Sequence, residues 1–265
     1  LHFPGYREWM RSVRQAILLL FCLLAFAAAP AGGASANPAW KPHVNLARRW
    51  AGTRSGEISF AVVTGGHRYM FHGLRMDPMA STVKVMLMTS YLRSRPVRRR
   101  NLHPGERRLI RRMIRHSDDF AATEIRNRIG HSGLPHLART VGIHAFIYSA
   151  IWGECRSNPR SQAGFMRRLP DLLPRRHRRF ALRQLNRITP SQRWGIGRVR
   201  PHGWRLYFKG GWGSGSGAVD HQIALLRRGR HRIGLSIQTM NNPSHAYGKV
   251  TLRGVAARLL RGLPG

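Results

Sequence analysis

Hydrophobic and polar positions change rhythm several times along the chain, and each change marks an element. Residues 45–51 (NLARRWA) carry a short helical pattern. Residues 57–64 (EISFAVVT) alternate as a strand does, Gly65 and Gly66 supply a hairpin turn, and 67–73 (HRYMFHG) return. Residues 79–92 (MASTVKVMLMTSYL) form an apolar run of helical length. From about 93 to 200 the pattern stays helical, broken by Pro and Gly. Three strand-like runs follow: WRLYFKG at 204–210, HQIALLRRG at 221–229 and HRIGLSIQTM at 231–240, the last two parted by a turn at Arg228-Gly229-Arg230. An apolar-striped helix over 244–260 closes the chain. This order predicts a mixed α/β (α+β) fold. One antiparallel sheet, flanked by helices, is shared by the first and last parts of the chain, with an all-helical lobe inserted between them. The sheet lobe spans about 37–80 and 201–265 and the helical lobe about 81–200, with no internal repeat.

The first stretch belongs to neither lobe. A basic segment from Met10 (MRSVR) precedes an apolar run of 14 residues, Ala16 to Ala29, short for a bilayer span. Ala34-Ser35-Ala36 fits a small-residue cleavage site. The expectation is a signal peptide over 10–36, with residues 1–9 a start-site artefact and Asn37 the first mature residue. The catalytic domain is then 37–265, released outside the cell as a monomer. Cys22 lacks the preceding small residue of a lipidation site, which favours release over a lipid anchor. Cys155 is then the only cysteine left, so no internal disulfide forms and a catalytic role for it is not expected.

Charge sharpens this picture. The chain holds 46 Lys and Arg against 10 Asp and Glu. Only Lys41, Lys84, Lys209 and Lys249 are lysines, which leaves 42 arginines. A GC-rich coding bias accounts for such a skew most simply, and against it each retained lysine is informative. Lysine loses its proton when desolvated, whereas arginine does not. In GERRLIRRMIRHS, Arg107, Arg108, Arg111, Arg112 and Arg115 recur at helical spacing opposite Leu109, Ile110, Met113 and Ile114. This basic face reads first as solvated surface. A partner, if there is one, is an anionic cell-wall polymer or lipid surface; nucleic acid is not expected of an exported protein. The 14 histidines form no HExxH or Cys-His pattern, so no metal and no cofactor are assigned.

Three short motifs carry chemistry. Ser81 and Lys84 are three apart, about one helical turn, so their side chains share a face. Ser117-Asp118-Asp119 follows the basic helix and opens the next one. Lys209-Gly210-Gly211 ends a strand and runs into Trp212. A serine is a poor nucleophile without a base, and a lysine serves as base only when neutral. From an ordinary pKa of ~10.4, neutrality near pH 7 needs a depression of ~3 units, or ~4 kcal/mol. Burial and nearby cations supply such shifts.

The order S-x-x-K, S-D-[N], K-x-G across helix, helical lobe and returning strand resembles the class A β-lactamase-like serine hydrolases and penicillin-binding proteins. QRWGIG at 192–197 and KGGW at 209–212 look closest to a secreted actinobacterial branch. The resemblance implies Ser81 as acylated nucleophile and Lys84 as its base. It implies that Ser117 bridges Lys84 and Lys209 and passes a proton to the leaving nitrogen. The oxyanion is expected between the backbone N–H groups of Ser81 and Trp212. Asp119, Lys209, Gly211 and Trp212 are expected to bind substrate.

Three departures bear on function. Asp119 stands where the family has an amide, Gly210 where it usually has a hydroxyl, and the loop AIWGECRSNPRSQAGF lacks the E-x-x-L-N pattern of the deacylating glutamate. Glu154 is that loop's only acid and the candidate deacylation base; the other reading makes it a structural partner of local arginines. The implied substrate is a β-lactam or a related peptide, amide or ester, with slow deacylation. The alternatives are a D,D-peptidase-like penicillin-binding protein, or a catalytically weak binder of anionic envelope polymer.

Overall fold

A computed structural model describes residues 40–199, 201–213 and 218–265. The expected signal segment 10–36 lies outside the described residues. Helix α1 (Val44–Gly52) leads into strands β1 (Glu57–Thr64) and β2 (His67–Phe71). The short strand β3 (Asp77–Pro78) and a 3-10 turn (Ala80–Val83) then enter helix α2 (Lys84–Arg93). Helices α3 (Pro104–Arg115), α4 (Asp119–Ile129) and α5 (Gly133–Thr140) follow, then strands β4 (Phe146–Ile147) and β5 (Arg156–Ser157). Helices α6 (Pro159–Leu172) and α7 (Arg175–Asn186) precede the strands β6 (Arg205–Gly213), β7 (Val219–Arg228) and β8 (His231–Met240), and α8 (His245–Leu259) closes the chain.

The main sheet has the order β2-β1-β8-β7-β6, every pair antiparallel, so the first and last parts of the chain meet at β1 and β8. Strands β1, β7 and β8 are buried over nearly their whole length and do not alternate. The reason is cover on both faces, which hides the outward residues as well as the inward ones. Helix α6 lies against β1, β7 and β8, and α8 packs on β7 and β8.

Helix α2 is the centre of the molecule. All nine residues from Lys84 to Leu92 are buried, so it is apolar all round apart from Lys84 and a few hydroxyls. A helix of this kind is stable only when other elements enclose it; α3, α4 and α5 do so. Each fully buried Leu or Met contributes about 1.5–3 kcal/mol relative to exposure. Lys84 is the exception that this enclosure must tolerate.

A second sheet, β3-β5-β4, has only two residues per strand, too short to leave a period in the sequence. It pairs Asp77 with Ser157 and Pro78 with Arg156, and Met79 N–H donates to Cys155 O at 2.7 Å. The loop carrying Glu154 is thereby tied to the chain just ahead of Ser81.

The basic helix α3 buries Ile110, Met113 and Ile114, with Leu109 only half-buried, and turns Arg107, Arg108, Arg111 and Arg112 outward. Its start is fixed by Glu106, which accepts from His103 N–H (2.7 Å), Tyr91 Oη (2.5 Å) and Arg100 (2.6 and 2.8 Å). Arg100 above all holds this carboxyl down at about 2, with help from Tyr91 and His103 and against the effect of burial. A depressed carboxyl contributes stability above its unfolded pKa of ~4.3 and loses it as pH falls through the folded value. Glu106→Gln is therefore expected to destabilise the fold by about 2 kcal/mol at pH 7, and the gap should shrink as pH falls from 4.5 towards 2. Urea unfolding of both proteins at pH 7 and pH 3 checks this. Equal midpoints at pH 7 would contradict it.

Candidate active site

The 3-10 turn Ala80–Val83 carries Ser81, so this serine sits just ahead of α2 and not within the continuous helix expected for 79–92. Ala80 has φ +43°, a left-handed conformation unusual for alanine. Backbone N–H groups in a first helical turn have no intrahelical acceptor, which leaves that of Ser81 available. Strand β6 comes close here. A Cβ added to Gly211 would lie 2.8 Å from Ser81 N and 2.9 Å from Thr82 N. Glycine at 211 is thus what allows β6 to pass beside the serine turn.

Lys84 and Lys209 are both fully buried. Lys84 Nζ donates to Ser117 O (2.6 Å), Asp119 Oδ1 (2.6 Å) and Ser117 Oγ (3.2 Å). Lys209 Nζ lies 2.9 Å from the same Ser117 Oγ and 2.6 Å from Gly210 O. One hydroxyl is shared by two lysines. Ser117 is not the cap of α4: Asp118 is, its Oδ1 accepting from Ala121 N–H at 2.8 Å. Ser117 has φ +54°, a conformation that costs on the order of 1–3 kcal/mol and turns its hydroxyl between the amines.

Burial lowers the pKa of Lys84, while the hydrogen bond and charge of Asp119 oppose that fall. Burial and then the charge of Lys84 lower Lys209 well below the usual lysine value. The hydrogen bonds fit this division. Lys84 has three acceptors around it, the full complement of an ammonium. Lys209 has a carbonyl and a hydroxyl, and the hydroxyl proton can be donated to a neutral amine.

The carboxylate on Lys84 is Asp119, whose side chain is 76% exposed. What faces Lys84 from the loop is the ring of Trp152, 4.8 Å from Nζ, its Nε1–H donating to Thr123 Oγ1 at 3.2 Å. Glu154 ends the same 3-10 turn, Trp152–Glu154, next to the buried Cys155. Burial pushes the Cys155 thiol up, which removes it as a thiolate nucleophile.

Gly210 has a steric reason as well. A Cβ there would meet the ring of Trp194 at 3.0 Å, so this indole occupies the space of the family's hydroxyl residue. Gln222 of β7 fixes the Trp194 segment, its Nε2 donating to Trp194 O (2.9 Å) and its Oε1 accepting from Ile196 N–H (2.6 Å). Trp194 meets Trp212 and His245 edge-on, at ring separations of 5.7 and 5.3 Å. Trp152, Trp194 and His245 had no assigned role in the sequence reading, although the first two lie inside stretches it singled out.

The sequence model of the Beta-lactamase enzyme family matches residues 98–263, more than half of the chain. The chain belongs to the β-lactamase enzyme family. The matched span includes Ser117, Asp119 and Lys209 and begins after Ser81 and Lys84. Comparison with curated protein sequences finds no match. Solved structures share the fold. A β-lactamase from Xanthomonas campestris superposes with TM-score 0.70 at 18% identity, over 85% of this chain and 100% of that one. One from Sphaerobacter thermophilus gives 0.70 at 19% identity, over 83% and 96%. A class A β-lactamase from Mycobacterium abscessus gives 0.70 at 19%, over 83% and 98%. The family is one of serine hydrolases that act on amide and cyclic amide bonds, and the fold is that of its class A members.

The Trp194 contact makes a test possible. Gly210→Thr alone restores the family's hydroxyl but overpacks against Trp194, and is expected to destabilise by about 1–3 kcal/mol. Adding Trp194→Leu should recover most of that loss. Thermal unfolding of the single and double variants measures it. A single variant as stable as wild type would show that Trp194 does not hold position 210.

Proposed function

We propose that the chain is an exported serine hydrolase that forms an acyl-enzyme on Ser81 with a β-lactam or related amide or ester, and releases it slowly. The observation that carries this reading is Ser117 Oγ held between Lys84 and Lys209 at 3.2 and 2.9 Å. Export rests on the segment 10–36 and on nothing else.

In this mechanism Lys84 must lose its proton before it can accept the one on Ser81. Burial favours that loss and Asp119 resists it. The hydroxyl of Ser81 attacks the substrate carbonyl as Lys84 takes its proton. The oxyanion is met by the N–H groups of Ser81 and Trp212, donors of a kind worth ~10²–10³ in rate each. Ser117, relayed by Lys209, returns a proton to the leaving nitrogen. The bond from carbonyl carbon to nitrogen breaks and the ester on Ser81 remains.

Deacylation then requires a carboxylate to activate water. General-base help of this kind is typically worth ~10²–10⁴-fold. The indole of Trp152 over Lys84 supports a poorly served water site, and Glu154 remains the candidate base on that loop. A fluorescent penicillin is expected to label wild type persistently and Ser81→Ala not at all, read by gel fluorescence and intact mass. Equal labelling of both would sink the assignment, and rapid multiple turnover of a chromogenic cephalosporin would sink slow release.

Asp119 yields a second test with an unusual sign. Its carboxylate keeps Lys84 protonated, so Asp119→Asn, which restores the family amide, should lower the pKa of Lys84. An opposite charge at this range shifts a pKa by about 1 unit or more. Acylation at pH 7 is expected to rise by roughly 3- to 10-fold, with the acid limb of its pH profile moved to lower pH. Stopped-flow acylation between pH 5 and 9 measures both. A fall in rate with an unmoved limb would show that the carboxylate does not govern Lys84.

A further inference from the structure

The acylation chemistry uses none of the arginines, and one group of them is gathered in a concavity. A cleft of about 660 Å³ opens where the end of α2, the loop after it and the start of α7 come together. Arg93 comes from α2, Arg98 and Arg99 from the loop, and Arg175 and Arg178 from α7. Arg93 and Lys84 stand at opposite ends of α2, roughly 14 Å apart along its axis at ~1.5 Å per residue. The cleft is therefore a different place from the reaction centre.

Four of these five side chains are unspent. Asp171 is the one acid among the described residues of the cleft wall, and it already pairs with Arg232 of β8. Arg93 gives a hydrogen to Leu172 O at 2.7 Å, which fixes it against the end of α6. The side chains of Arg98, Arg99, Arg175 and Arg178 make no hydrogen bond, ion pair or ring contact among the described residues. The Nε of Arg178 is buried all the same. A buried N–H without an acceptor is costly, and an anion seated beside it removes that cost.

The start of α7 adds to the positive field. Its first turn reads Arg175-Arg176-His177-Arg178, with no acid in it and no side-chain cap from Pro174. The first N–H groups of a helix lack intrahelical acceptors, and that end of the helix favours anions. Arginines elsewhere hold carboxylates, as Arg100 and Arg112 do, or lie over rings, as Arg54 and Arg107 do. A coding bias accounts for arginines spread over an open face such as that of α3. It does not account for four unspent ones that meet in one cleft from two segments.

The lining narrows the class of ligand. An arginine fork fits a phosphate with two parallel hydrogen bonds, and a helix start is a ready cradle for the same group. Pockets for whole small molecules run to ~300–1,000 Å³, so this cleft takes several groups and not one ion. No aromatic residue is among the described residues that line it, so it offers no platform on which bases stack. None of the exposed large hydrophobic side chains lines it either, so it offers nothing to insert into a bilayer. We propose that this cleft binds a phosphodiester polymer without bases, an anionic chain whose successive phosphates are met by Arg98, Arg99, Arg175 and Arg178 and by the start of α7. The proposal goes beyond the hydrolase reading and does not rest on it.

The test uses the full chain and a synthetic glycerol-phosphate hexamer, with binding read by calorimetry at about 50 and 200 mM salt. Four arginines on a single anionic strand give a slope of log K against log salt of about −3, at ~0.7 per phosphate met. Arg98→Gln with Arg175→Gln removes one cation from each segment and should weaken binding about tenfold and halve the slope. Arg108→Gln with Arg111→Gln makes the same change of charge on the exposed face of α3 and should cost less than twofold. Equal losses in the two double variants would mean a diffuse field and overturn the proposal, as would no binding at the lower salt. Should the cleft pair fail to fold, Arg99→Gln alone must weaken binding about threefold, and an unchanged affinity refutes the site. Vesicles of phosphatidylglycerol and phosphatidylcholine in equal parts offer the same headgroup on a flat surface. A cleft pair that loses vesicle binding but keeps the hexamer would make this a membrane site and refute the polymer. A thymidylate hexamer or a galacturonate hexamer that binds tenfold more tightly than glycerol phosphate would do the same in favour of nucleic acid or of carboxylates. The two readings fail separately: penicillin acylation of a protein that ignores the hexamer removes the cleft alone, and hexamer binding without acylation removes the hydrolase alone.

Discussion

Two lysine amines desolvated around one hydroxyl form the constraint to which the rest of the structure answers. Neither amine has bulk water to stabilise its charge, and Asp119 is the carboxylate that Lys84 touches. Charges at such range, in a medium less polarisable than water, interact too strongly for both amines to remain protonated at little cost. The scaffold holds them there because each lies on a rigid element. Lys84 opens the enclosed helix α2, Lys209 lies within β6, and Ser117, itself left-handed, sits between them just ahead of α4. Loosening any one element would admit water and restore ordinary lysine behaviour.

Packing around β6 translates that constraint into sequence. Gly211 lets the strand run against the turn of Ser81, and Gly210 yields its side-chain space to Trp194. The two glycines have different neighbours on opposite faces of one strand. The departure at 210 is therefore a local exchange of a hydroxyl for an aromatic wall, against which His245 also packs. Departures at Asp119 and in the Trp152 loop lie elsewhere in the site, both against Lys84.

Much of this was legible in the sequence because the relevant signals are local. The hairpin at Gly65-Gly66, the three closing strands and the last helix have periods long enough to read, and all stand where the pattern set them within a few residues. Ser81, Lys84, Ser117 and Lys209 are readable as motifs in order, and three of them converge through hydrogen bonds. Other features were not legible. Strands β3, β4 and β5 have two residues each and exist through pairing across up to about 80 positions. The 3-10 geometry at Ser81 depends on β6 pressing against it. Trp152 over Lys84, and His245 on Asp220, are contacts between segments far apart in the chain, and no local pattern joins either pair. A retained acid in so basic a chain was the available signal for Asp220, and it was not used.

That scarcity of acids is itself informative. Of the acids among the described residues, Glu57 and Asp77 share Arg75, Glu106 holds Arg100, Asp118 holds Arg112 and Asp171 holds Arg232. These pairs pin helix starts and strand ends. Asp119 and Asp220 differ: each meets a titratable nitrogen, Lys84 in one case and His245 in the other. The many surface arginines act at longer range. Their field draws anions towards the protein, but at physiological salt it decays within a Debye length of about 8 Å. Buried pairs are screened far less. The protonation states of Lys84 and His245 are thus set by two local carboxyls and by burial, and the arginine surface, however large its charge, bears on the approach of anions more than on these local states.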